Sequence, residues 1–339
     1  MTDSRPGGAR TPRWSLRRMA SVTLALGALT SAAVPSGPAG ATPVPVSRAA
    51  PYLYLGWGSP PVPVAVMSTT GIRAFTLAFV LAGHGCVPTW DGKRPLLGGS
   101  DASSIAAIRA AGGDVSVSFG GWSGRKLGTA CRSAAALAGA YEQVIDAYGL
   151  HAIDVDIEHG EFTNRTSRLR VVTALHLVQL ADPAVEISVT FGTTPIGPDA
   201  TGTSLLTDAA AVGFVPYAWT VMPFDFGVPE PDMGATSVAA AEGLHADLMS
   251  VSGMDSATAY AHMGISSMNG RTDEADETVS AADYRTMLAY AEAHHLARLT
   301  FWAVNRDRSC PSGTPAGDTC SGIVQADGLF TTLTAGYTG

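Results

Sequence analysis

The chain has 339 residues, 46% of them hydrophobic, and its 21 Lys and Arg against 29 Asp and Glu give a formal net charge of −8. Nucleic acid is disfavoured as a partner, because its binding rests on clustered positive charge and no Lys/Arg stripe follows the first twenty residues. A neutral or cationic substrate suits the balance better, and the length fits one barrel of about 250 residues or two domains of about 150.

In chain order, residues 1–41 read as a secretory signal peptide. Arg10, Arg13, Arg17 and Arg18 make a basic start, the 15 residues from Ala20 to Val34 are uncharged and apolar, and Ala39-Gly40-Ala41 is a small-residue cleavage site. That run is shorter than the ~20 residues a membrane helix needs, and no later stretch is long and apolar enough. A secreted, extracellular product without membrane contact is expected, and the Arg17-Arg18 pair leaves the general and twin-arginine export routes open. Residues 42–51 continue as a short, flexible Pro/Ala-rich lead-in. Residues 52–339 are expected to form the functional domain.

That domain alternates between two kinds of segment. Short β-rich apolar runs fall at 52–57, 74–82, 114–121, 151–158, 186–194, 219–227, 259–268 and 298–305. Between most of them lie Ala-rich stretches with helical spacing, at 101–111, 131–148, 168–180, 237–249 and 281–295. Ser100-Asp101, Ser204 and Ser280 stand where helices would start. Parallel strands need helical crossovers, and strands buried on both faces read as near-continuously apolar. The simplest closed answer is an α/β fold, a single-domain (β/α)8 TIM barrel with its chemistry at the C-terminal ends of the strands. An open doubly wound sheet is the alternative, but no Gly-rich phosphate loop follows the first strand.

The four cysteines, Cys86, Cys131, Cys310 and Cys320, are an even set in a chain expected to be exported, which favours disulfides over free thiols. Cys310 and Cys320 share a Gly/Pro/Ser-rich loop, which leaves Cys86 for Cys131. No pair has the two-residue spacing of a zinc knuckle.

The fourth strand reads His151-Ala-Ile-Asp154-Val-Asp156-Ile-Glu158. Period two puts Asp154, Asp156 and Glu158 on one face. Three bare charges inside a barrel are too costly, so the acids are expected to share protons, with Glu158 at the strand end keeping its own. A carboxylic acid protonated near neutral pH is what cleavage of a glycosidic bond requires. A lone acid at a strand end is usually a surface or capping residue. Three at alternate positions in an apolar strand point to catalysis. A metal would draw on His or acids from other strands at matching depth, which are not evident, so neither metal nor cofactor is expected.

This segment resembles the active-site strand of glycoside hydrolase family 18, the chitinases, whose pattern is DxxDxDxE. Ser118-Phe-Gly-Gly121 looks like the family's SxGG motif, Met222-Pro-Phe-Asp225 like its M-x-Y-D motif, and Trp302 like its eighth-strand tryptophan. Met263-Gly-Ile-Ser-Ser-Met268 followed by Glu277 is similar to a bacterial branch. The matches run in order over residues 52–307. Two positions depart: His151 stands at the first Asp of the strand pattern, and Phe224 at the Tyr that donates a hydrogen bond to the reacting acetamide, for which Tyr217 or a barrel-top residue would have to substitute.

The resemblance implies a secreted chitinase acting on β-1,4-linked N-acetylglucosamine polymers by a retaining, substrate-assisted mechanism. Glu158 would be the general acid and base, Asp156 would orient the acetamide, and Asp154 would hold the second proton. Asp225 and Met222 would contact the sugar, and Trp302 would floor it. Near strand ends, Trp57, Trp90 and Trp122 are candidates for further subsites. Asn305 and Tyr217 complete the expected binding set, whereas Trp219 reads as core. His159 reads as a solvated loop residue, and Gly120 and Gly121 as packing residues beneath the site. The implied partner is chitin or a chito-oligosaccharide met by a monomer. No long insertion marks the seventh strand, which suggests an open groove and an endo-type cut. The same acids would serve an endo-β-N-acetylglucosaminidase on glycoprotein glycans. The reading from another class is a carbohydrate-binding barrel without catalysis; against it, Glu158 stands with both Asp partners.

Overall fold

The structure is a computed structural model and describes residues 46–339. The expected signal peptide, and residues 42–45 of the lead-in, lie outside the described residues. Eight strands form one parallel run: β1 (Tyr52–Tyr54), β2 (Ala74–Ala82), β3 (Asp114–Gly120), β4 (Ala152–Asp156), β5 (Glu186–Gly192), β6 (Ala218–Met222), β7 (Met263–Met268) and β8 (Arg298–Trp302). Each pairs in parallel with the next, with one register shift between Leu77 and Val80 where β2 meets β3. Each is followed by a helix: α1 (Pro63–Thr70), α2 (Gly99–Ala110), α3 (Ala134–Tyr148), α4 (Arg165–Ala181), α5 (Ala200–Val212), α6 (Met233–Ser252), α7 (Ala281–His294) and α8 (Leu329–Ala335). This is the expected (β/α)8 barrel, nearly closed. None of the described helices is long and apolar enough to cross a membrane.

The strands are not uniformly apolar, as had been expected; they alternate by chemistry. Val115, Val117, Ile153, Val155, Ile187, Val189 and Phe191 are buried in the core shared with the helices. The other face of the barrel strands carries Thr76, Ser118, Asp154, Thr190, Thr220 and Thr300, each fully buried in a polar lumen. The lumen is polar because Arg298 enters it from β8 and pairs with Asp154. Room for it comes from Gly264, where a Cβ would stand 2.7 Å from Thr220 Oγ1 and 2.9 Å from Arg298 Cβ.

Side chains and the lead-in complete the closure between β8 and β1. Tyr54 N donates to Asn305 Oδ1 at 3.2 Å, and Asn305 Nδ2 donates to Tyr54 O at 2.9 Å. Leu299 N donates to Arg48 O at 2.9 Å and Thr300 Oγ1 to Ala50 O at 2.8 Å. Residues 47–51 are therefore bound against the barrel rather than flexible: their backbone groups complete the β8 edge.

Local signals explain most boundaries. Ser280 caps α7 in a reciprocal box with Asp283, as its position had suggested. Ser100-Asp101 instead lie inside α2, where Asp101 binds Arg94. The start of α5 is Asp199, whose side chain accepts from Thr201 N and Gly202 N, five residues before the expected Ser204. The run at 259–268 divides into a helical turn, Ser256–Ala261, and β7. Both disulfides are present as paired, Cys86–Cys131 and Cys310–Cys320.

Candidate active site

Residue position along β4 grades the three acids from closed to open. Asp154 is fully buried and accepts four hydrogen bonds, from Tyr52 Oη at 2.8 Å, Ser118 Oγ at 2.6 Å, Thr190 Oγ1 at 2.7 Å and Arg298 Nη1 at 2.7 Å. A buried guanidinium balances it. Asp156, one layer up, is 4% exposed, and its Oδ1 has no hydrogen-bond partner among the described residues. Burial first, then Glu158 and Asp154, push its carboxyl well above the ordinary range, with Lys126 and Arg298 opposing.

Glu158 lies just past the strand and lines a cavity of about 810 Å³ at the C-terminal end of the barrel, together with Asp156. Desolvation pushes its carboxyl up to about 7; Lys126 opposes the rise and Asp225 adds to it. Such a group is protonated at mildly acidic pH and ionisable at neutrality, as an acid that later acts as a base must be.

Aromatic rings build one wall. Trp302 stacks on Tyr54 with centroids 4.9 Å apart and on Phe79 at 5.5 Å. Trp57 stacks on the other side of that column, 4.4 Å from Tyr54. Trp302 and Trp57 both line the cavity, as do Met222, Phe224 and Trp122. Trp122 is 70% exposed and meets His159 edge-on at 3.9 Å. His159 is itself exposed, but it opens the short helical turn His159–Thr163 rather than lying in a loop.

Asp225 lines the cavity in a left-handed turn with φ +54°. The turn is held from behind by Glu277, 2% exposed, which accepts from Asp225 N at 2.7 Å and Phe226 N at 3.1 Å. Burial and the neighbouring Asp273 raise the Asp225 carboxyl above its usual range.

Three expected contacts are corrected. Tyr217 precedes β6 at the opposite, N-terminal end of the barrel, where its hydroxyl donates to Ala297 O at 3.0 Å; it cannot stand in for a donor at Phe224. Asn305 is fully buried and occupied with the backbone of Tyr54, a closure role rather than a sugar contact. Trp90 is fully buried, its Nε1 donating to Tyr148 Oη at 2.9 Å. Trp219 is core, packed against Phe191 and Phe214. His151 pairs with Asp114 at the foot of β4, away from the acids. Gly120 serves packing: with φ +102°, a Cβ there would lie 2.1 Å from Asp156 O.

The residues that sequence reasoning passed over are Tyr52, Arg298 and Lys126. Arg298, Thr300 and Trp302 alternate on one face of β8, so the period-two reading that located the acids applied equally to the arginine.

No protein-family model matches the chain. It is 28% identical over 281 residues to a probable bifunctional chitinase/lysozyme of Escherichia coli (strain K12), covering 78% of this chain and 31% of that protein. It is 27% identical over 285 residues to endochitinase 11 of Metarhizium anisopliae, covering 80% of this chain and 53% of that protein. The chain thus spans about a third and about half of the lengths of these relatives. Among solved structures, the catalytic domain of a hyperthermophilic chitinase from Pyrococcus furiosus matches with TM-score 0.77 at 27% identity, covering 88% of this chain and 98% of that one.

Proposed function

We propose that this chain is a chitinase of glycoside hydrolase family 18 that cuts β-1,4-linked N-acetylglucosamine polymers with retention of configuration, a reading supported by its similarity to chitinases. The observation that carries the reading is the pairing of Glu158, its carboxyl lifted to about 7, with Asp156, whose Oδ1 lacks a partner in a cavity walled by tryptophan. Glu158 gives its proton to the glycosidic oxygen as the bond from that oxygen to the anomeric carbon breaks. The substrate's own acetamido oxygen bonds to that carbon, so no second carboxylate acts as nucleophile. The free Asp156 Oδ1 accepts the acetamide N–H and orients the acetamide for attack. Water then adds to the anomeric carbon, returns a proton to Glu158 and restores the acetamide.

Arg298 holds Asp154 fixed in an ion pair, and the unpartnered Oδ1 of Asp156 is the acceptor left to respond to substrate. Trp302 offers a flat apolar face to the sugar ring, with Trp57 and Trp122 along the same cavity as further subsites. The open cavity supports an endo-type cut, the two disulfides support an extracellular location, and export through residues 1–41 belongs to the same reading. The test compares N-acetylated and fully deacetylated chitin pentamers. The acetylated pentamer should be cleaved and the deacetylated one left intact, since it lacks the internal nucleophile. Equal cleavage of both would overturn the mechanism, and binding without cleavage would make this a carbohydrate-binding barrel.

A further inference from the structure

Lysine is almost never fully buried without a partner charge, yet Lys126 is 5% exposed and makes no ion pair within 4 Å among the described residues. Its ammonium donates instead to backbone carbonyls of the loop after β3, to Gly120 O at 3.4 Å, Ser123 O at 2.6 Å and Gly121 O. That loop supports the catalytic strand: Gly121 N donates to Asp156 O at 2.9 Å. A Cβ built on Gly120 would reach the same oxygen and would lie 3.5 Å from Glu161 Oε2. Glu161 is 2% exposed and accepts from Gly128 N at 2.6 Å, two residues beyond the lysine. The ammonium is therefore enclosed by carbonyls of the segment that bonds to the end of the acid-bearing strand.

We propose that Lys126 is a positioning residue for Glu158, fastening the 120–123 loop to the catalytic strand and supplying the fixed positive charge against which Glu158 releases its proton. This rests on the reading of Glu158 as acid and base. An acid in so apolar a place protonates a leaving group readily but ionises reluctantly, and the second half of the reaction needs it ionised. The charged groups around Glu158 are Lys126 from the β3 loop, Asp156 on β4 and Asp225 from the β6 loop; Glu161, on the following helical turn, donates its N–H to Glu158 O but turns its carboxylate to Gly128 N. The Asp154–Arg298 pair lies below, and exposed His159 is turned onto Trp122. Of the charges acting on Glu158, Lys126 favours ionisation and Asp225 opposes it. Removing the ammonium leaves the acid form in place to higher pH.

The test is the pH dependence of kcat/KM on chito-oligosaccharides for the full chain and for Lys126→Met, Lys126→Gln and Lys126→Arg, with near-UV circular dichroism to establish folding. The Met and Gln variants should move the alkaline limb up by on the order of one pH unit and lower kcat at neutrality, while Arg keeps the limb in place. An unmoved limb in a folded Met or Gln variant, whatever its rate, would show that the lysine only holds the loop, and would overturn the proposal. Titration of the Glu158 carboxyl by carbon-13 NMR reads the same shift without turnover. If the wild type cleaves no chito-oligosaccharide, the functional reading fails, and that titration still decides for or against Lys126.

Discussion

At the scale of single residues, the account turns on a carboxyl kept neutral by its surroundings, and stability records that as directly as activity does. Glu158 has a folded-state value of about 7 against an ordinary 4.5, raised chiefly by desolvation. Below pH 4.5 the acid is protonated in both folded and unfolded chains, and its contribution is fully present. As pH rises from 4.5 to about 7 the unfolded chain gives up the proton while the folded site keeps it, so stability is lost across that window. Glu158→Gln removes this loss. The variant should melt with wild type at pH 4 and be more stable by about 3 kcal/mol at pH 8. Equal melting temperatures at pH 8 would mean that the acid is not desolvated as described. The acids themselves were legible in the sequence because three of them interrupt an apolar strand at period two. Arg298 was legible by the same rule but passed unread, since an arginine at a strand's beginning looks like a solvent contact. Lys126 gave no local signal at all: its burial comes from the folding of the β3 loop around it.

At the scale of elements, the barrel strands present residues and the loops after them tune the presentation. The turn at Asp225 adopts φ +54°, a conformation that costs a non-glycine residue energy and needs outside support. Glu277 provides it by accepting two consecutive backbone N–H groups with its two oxygens. Glu277→Gln keeps the size but has one acceptor oxygen, so one N–H loses its partner. The expected result is a fall in kcat/KM of about tenfold with the fold retained, measured by steady-state kinetics beside circular dichroism. Unchanged kinetics would remove Asp225 from the substrate-contacting set. Element existence was largely legible from alternating strand and helix patterns. What was missed has physical causes: α1 opens on Pro with β-branched neighbours, α8 is rich in Thr, and α5 begins at an Asp cap followed by poor helix formers.

At the scale of the whole molecule, the order of strands and helices made the barrel legible, because eight parallel strands joined by seven crossovers have few ways to close. The lumen was not legible. Its polarity depends on which residues meet across strands, Arg298 with Asp154 and Thr190, and such meetings are set by register rather than by neighbours in sequence. The same holds for Asn305, whose place after β8 suggested a substrate contact. Its actual work is to bridge β8 to β1, visible only once both ends of the chain are in place. The barrel thus puts the Asp154–Arg298 ion pair at its centre, a responsive Asp156 above it and Glu158 at the mouth. The most direct test of that arrangement is a proton NMR time course of chitin pentamer cleavage by wild type and by Glu158→Gln at pH 6. The account predicts that wild type releases products first in the β-anomeric form and that the variant releases none on the same timescale. Products first appearing as the α-anomer, or a variant within tenfold of wild type, would contradict it.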